Sequence, residues 1–230
     1  MDSCLTFDLE KISVRDLNAY LHHELPSKGE ACIQVTNPYG EHNIAVGVDG
    51  SARIDIHGHV GYFLGGMNKQ AHITVYGNAG RSLAENIMSG VVRVKGDASE
   101  SVGASGHGGL VVVEGNASSR CGISLKGANL VVGGSAGHMS AFMAQAGRIV
   151  ICGDTGPGLG DSLYEAVIYV GGKVHGLGAD AREEEMCDDD YGIVASLLAS
   201  AGLAGDAAGF RRIASARTLY HWNSEAHQAY

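Results

Sequence analysis

Residues 72–79 read HITVYGNA, and the phrase returns every 19 residues: VVRVKGDA at 91–98, LVVVEGNA at 110–117, NLVVGGSA at 129–136 and RIVICGDT at 148–155. RIDIHGHV at 53–60 and VIYVGGKV at 167–174 extend the series at its two ends. Seven glycines therefore share one register: Gly58, Gly77, Gly96, Gly115, Gly134, Gly153 and Gly172. A fixed period near 20 marks a stack of like structural units. Two places before each glycine stands Ile or Val, and four places before it Ile, Val or Leu. Apolar residues two apart make a short strand with one buried face. Asn78, Asp97, Asn116, Ser135 and Asp154 follow their glycines directly. Glycine followed by Asx is corner chemistry, with positive φ expected at the corner.

One strand per 19 residues, with no helix between, predicts an all-β fold. The expected form is a single-stranded right-handed parallel β-helix of about seven 19-residue coils, with small helix and strand caps at both ends. The hand follows the preference of parallel crossovers. At ~3.3 Å per residue one coil has a perimeter of about 60 Å, which its own inward side chains fill. The expected division is 1–50 for an N-terminal cap, 51–180 for the β-helix, and 181–230 for an acidic linker, a capping helix and an aromatic tail. In the first segment, Ser13 and Asp16 sit at capping-box spacing before a helix carrying Val14, Leu17, Leu21 and Leu25 and stopping at Pro26. Residues 31–36 and 44–48 read as strands.

The outward position three before each glycine changes along the stack. It runs Asp55, Thr74, Arg93 and then Val112, Val131, Val150, Tyr169. Such an apolar stripe must be covered by another element or by a partner. Residues 191–204 place Ile193, Val194, Leu197, Leu198 and Ala201 on one helical face, a natural cover. Residues 182–190, with six acids in nine, read as a solvated linker. Phe210, Tyr220 and Trp222 lie beyond the repeat and suit docking onto another surface. Val112, Val131, Val150, Tyr169, Phe210, Tyr220 and Trp222 are accordingly the candidate partner interface.

The net charge of −9 with only 18% charged residues argues against a nucleic-acid partner. No apolar run is long enough to span a membrane, so a cytoplasmic protein is expected. Five cysteines, odd in number and without a C-x-x-C pair, read as reduced thiols. His22, His23 and Glu24 point in different directions on a helix and cannot share an ion. The run from Gly156 to Gly160 falls inside a repeat, without the following helix that a phosphate loop needs. No nucleophile–base pair, paired carboxylates or ligand cluster emerges, so no catalytic, cofactor or metal residue is assigned.

The pattern G-x-x-G-x-x-x-G, as in Gly58, Gly61, Gly65 and again in Gly153, Gly156, Gly160, resembles the glycine-rich β-helix that ends the large chain of glutamate synthases. Asn37-Pro38-Tyr39-Gly40, Met67-Asn68-Lys69, Ala84-Glu85-Asn86, Met139-Ser140-Ala141-Phe142-Met143-Ala144 and Gly160-Asp161-Ser162 fit that branch. Ser99, Ser118 and His175 depart from the motif at its second glycine. Most of all the chain resembles the free-standing form, as in the B subunit of N-methylglutamate synthase. The resemblance implies a non-catalytic scaffold subunit. It would brace an amidotransferase-like subunit against an FMN-binding, glutamate-synthase-like subunit that carries the flavin and an iron–sulfur cluster. The same scaffold in glutamine-dependent glutamate synthase, or a formylmethanofuran dehydrogenase subunit, are the alternatives. A polysaccharide-acting β-helix enzyme would need acids and bases stacked on one outer face, and they do not line up so.

Overall fold

The computed structural model describes residues 4–27 and 31–217. Nine strands follow one another in a single sheet and pair in parallel: β1 (Leu5–Asp8), β2 (Ala31–Thr36), β3 (Ala52–His57), β4 (His72–Val75), β5 (Val91–Val94), β6 (Leu110–Val113), β7 (Lys126–Val132), β8 (Ala146–Ile151) and β9 (Val167–Val170). The chain then turns back. β10 (Ala181–Glu184) and β11 (Arg211–Ser215) close the sheet antiparallel, in the order β9-β11-β10. The register is the 19-residue period itself: Ile54, Ile73, Val92, Val111, Leu130, Ile149 and Ile168 are Cα partners from strand to strand. All seven are fully buried, as are Ile56, Val75, Val94, Val113, Val132, Ile151 and Val170. The fold is the expected parallel β-solenoid of about seven turns.

The other sides of each coil are held by a different backbone device. Single parallel bridges link Val60, Ala79, Ala98, Ala117, Ala136, Thr155 and Val174 along one inner edge. Beyond them every second residue takes a left-handed conformation, as at Phe63, Gly65 and Met67 or at Arg120, Gly122 and Ser124. The bonds between coils then alternate in direction. The Phe63 N–H reaches the Arg81 carbonyl in the next coil (2.9 Å), and the Gly65 N–H reaches Ile44 in the preceding one (3.0 Å).

Four expectations change. Among the seven register glycines only Gly58 has a clearly positive φ, +139°. At the others the need is space: a Cβ on Gly115 would stand 2.8 Å from the Gly96 carbonyl oxygen, and one on Gly134 2.9 Å from that of Gly115. Residues 44–48 form no strand. They are the left-handed passage of a further coil that begins with β2, with φ of 60° at Asn43, 54° at Ala45 and 70° at Gly47. Ile44, Ala45 and Val48 are buried there without strand alternation. Residues 182–190 are no linker, because they supply most of β10 and the first turn of α2 (Asp188–Ala201). Finally, Cys4 and Cys32 are joined in a disulfide, since β1 and β2 bring together residues 28 apart in sequence.

The N-terminal end is sealed by α1 (Val14–His23), which starts with the full Ser13–Asp16 capping box. Leu17, Leu21 and Leu25 bury completely against the first coils.

Candidate interface surfaces

The apolar stripe is closed by the chain itself. Val112, Val131, Val150 and Tyr169 pack under Val194, Leu197, Leu198 and Ala201 of α2 and under Phe210. None of the four stripe residues is more than 1% exposed, and Phe210 is only 8% exposed. As a partner interface these five are therefore corrected: two apolar faces of one chain meet before a partner does. Tyr220 and Trp222 lie outside the described residues.

Both ends of α2 are anchored. At its start Asp190 is a hub: its carboxylate accepts from the Tyr169 hydroxyl (2.7 Å), the Cys187 N–H (3.0 Å) and Arg212 Nε (3.3 Å). Arg212 also pairs with Glu184. Burial alone would raise the Asp190 carboxyl, but the Cys187 N–H, the Tyr169 hydroxyl and the Cys187 thiol, with the charge of Arg148, outweigh it and hold it below the usual carboxylate range. Burial, with the bond to Asp190, pushes the Tyr169 hydroxyl well above the tyrosine range. At the helix end Arg93 donates to the Ala201 carbonyl (2.7 Å) and pairs with Glu114 (2.7 Å).

The glycine corner carries a feature that local reading missed. The side chain after each glycine accepts a hydrogen bond from the backbone N–H of its counterpart one coil on. His59 accepts from Asn78 (2.9 Å), Asn78 from Asp97 (3.0 Å), Asp97 from Asn116 (2.7 Å) and Asn116 from Ser135 (2.9 Å). Ser135 then accepts from Asp154 (3.0 Å) and Asp154 from Lys173 (2.8 Å). The run of Asn, Asp and Ser at one register was the visible signal, and acceptor stacking between coils is its cause.

α2 covers only the late half of the outer sheet face. The early half is not covered by α2 and carries Gln34, Arg53, His72, Thr74 and Tyr76, with Asp55 buried beneath Gln34 and Arg53. His57 and Tyr76 stack there (centroids 5.0 Å), and around the corner His42 stacks on Tyr62 (4.5 Å). Tyr62, Phe63, Met67 and Tyr76 are all at least 40% exposed. Aromatic and methionine side chains beside polar groups are what protein interfaces favour.

The chemistry available elsewhere is modest. Cys121 is buried, which pushes its thiol up to about 12, and burial raises Cys152 as well. Among the described residues no group of three or more His, Cys, Asp or Glu could hold a metal ion, and no helix is long and apolar enough to cross a membrane.

Fold and surface together define the class: a glycine-cornered parallel β-solenoid, sealed by its own helices and open to contact along its early coils. No family model matches the chain. It is 48% identical over 224 residues to Protein GlxC of Rhizobium meliloti (strain 1021), a match covering 97% of this chain and 98% of that one. The chain belongs to the GlxC family.

Proposed function

We propose that this chain is a non-catalytic scaffold subunit of a glutamate-synthase-like amidotransferase complex. GlxC membership and the β-solenoid both fit a component of that kind. In this reading it braces an amidotransferase-like subunit against an FMN-binding subunit that also carries an iron–sulfur cluster, and N-methylglutamate synthase is the preferred complex. The observation that carries the reading is the half-open outer face. The stack of coils is a stiff rod whose late outer face is closed by α2, whose early outer face presents His57 and Tyr76, and whose adjoining corner and left-handed passage present Tyr62, Phe63 and Met67. A rod with one such face suits holding other subunits at a fixed spacing.

The test is affinity purification of the tagged full-length chain from its native host, with flavin and iron analysis of what comes with it. The expected result is flavin that arrives only with a larger partner and none on the chain alone. Flavin bound stoichiometrically to the isolated chain, or turnover by it, would overturn the scaffold role. Assaying the assembled complex with methylamine plus glutamate, and with glutamine plus 2-oxoglutarate, separates N-methylglutamate synthesis from ordinary glutamate synthesis.

A further inference from the structure

β1 pairs with β2 in the register Leu5 to Ile33, so Cys4 lies opposite Cys32, and the two are bonded. Both cysteines are half-buried, within reach of a thiol in solution. The next strand adds a cation. Arg53 is the β3 partner of Cys32, and its Nη2 lies 3.2 Å from the Cys32 sulfur and 3.9 Å from that of Cys4. Arg53 Nε is steadied by Asp55 at 3.2 Å. A guanidinium beside a neutral disulfide gains little. Beside the thiolate that reduction leaves, it gains a charge-assisted contact. The arrangement therefore favours the reduced form and speeds exchange.

We propose that Cys4–Cys32 is a redox-active pair with Arg53 as its thiolate-stabilising group, opened by a dithiol reductant and closed by peroxide. In opening, a reductant thiolate attacks one sulfur and the other cysteine leaves as the S–S bond breaks; the reductant's second thiol then attacks the mixed disulfide and expels the first cysteine. Two electrons and two protons pass to the chain, and the reductant leaves as its own disulfide. In closing, one cysteine thiolate attacks peroxide, the O–O bond breaks, and the departing hydroxide takes a proton from solvent, leaving a sulfenic acid and water. The other thiol then expels a second water as the S–S bond forms. The structural consequence falls on β1. It is the outermost strand, none of its residues is fully buried, and Leu5 is 43% exposed. Reduction removes the covalent tie at the start of β1 and leaves Leu5 and Thr6, both exposed, held to β2 by backbone pairing.

The test uses the full chain, differential alkylation read by mass spectrometry, and amide exchange. Exposed Cys187 is the internal reference thiol. After peroxide Cys4 and Cys32 should resist alkylation, and after dithiothreitol both should react. Arg53→Gln should slow alkylation of the reduced pair at pH 7 about tenfold relative to Cys187, the effect of one unit in thiolate affinity, with partial rescue by Arg53→Lys. Amide exchange at residues 5–8 should quicken on reduction. Alkylation of both cysteines in peroxide-treated protein would overturn the proposal, and so would an unchanged rate in Arg53→Gln.

Discussion

At Gly96 there is no room for a methyl group. A Cβ would stand 2.9 Å from the Gly77 carbonyl oxygen and nearer still to the Asn78 side chain. Both neighbours belong to the preceding coil, and both are fixed by ladders: the Gly96 N–H donates to Gly77 (3.0 Å) and the Asp97 N–H to Asn78 (3.0 Å). Neither can yield without moving a coil. Gly96→Val, or Gly115→Val, should therefore destabilise by about 3 kcal/mol or more. Gly40, with φ +76° and nothing within 4 Å of a built Cβ, is the contrast. Gly40→Ala should cost only about 1 kcal/mol, from backbone strain alone. Urea titration of the three variants checks this, and equal midpoints for Gly40→Ala and Gly96→Val would refute the crowding account. The period of 19 made these glycines legible. Their reason was not, because φ is local whereas the obstruction comes from the coil before.

On the scale of elements, α2 is the part whose role the sequence left open. Its apolar face and the stripe of Val112, Val131, Val150 and Tyr169 were each visible. Their union was one reading beside a partner interface and was not decided, because nothing local tells an intramolecular cover from a partner. Asp190 was hidden among six acids, and only the turn back through β10 and β11 places Arg212 and Tyr169 on its carboxylate. Two expectations follow. Gly192 sits inside α2 with nothing within 4 Å of a built Cβ, so Gly192→Ala should stabilise by up to about 1 kcal/mol. The second concerns acid. Asp190 is depressed in the folded chain, and Asp8 is held at about 2 by the Asn37 side chain, Lys11 and the Glu10 N–H, against an ordinary value of 3.8. Depressed carboxylates contribute fully above their unfolded value, and that contribution is lost as pH falls towards the folded one. The melting temperature should therefore hold from pH 7 to about 5 with respect to these groups and drop below about 4. Asp190→Asn should start lower at pH 7 and fall less in acid. A variant with the same acid slope as the parent would refute the hub.

For the molecule as a whole, the solenoid was legible because each coil repeats one sentence. The ends were less so, because each end is written once and has no second copy to compare. Truncation after residue 187 should expose the stripe, which is at most 1% accessible in the full chain, and give insoluble or self-associated protein by size-exclusion chromatography. Deletion of residues 218–230 should leave the melting temperature unchanged and weaken assembly with partner subunits. A fall in the melting temperature with assembly intact would assign those residues to the cap.

The two anchors of α2 also make it a gauge. One end is tied at Tyr169 and the other at Arg93, four coils apart in the same outward row. From Asp190 to Ala201 the helix rises about 17 Å, and four steps of ~4.8 Å measure about 19 Å, a difference that the tied side chains span. The helix thus counts the coils beneath it. Duplicating the coil of residues 58–76, outside the span, should lengthen the rod by one step and leave both ties intact. Duplicating residues 115–133 inside the span should force one tie to let go, so copy number is free to drift in the early coils and locked in the late ones.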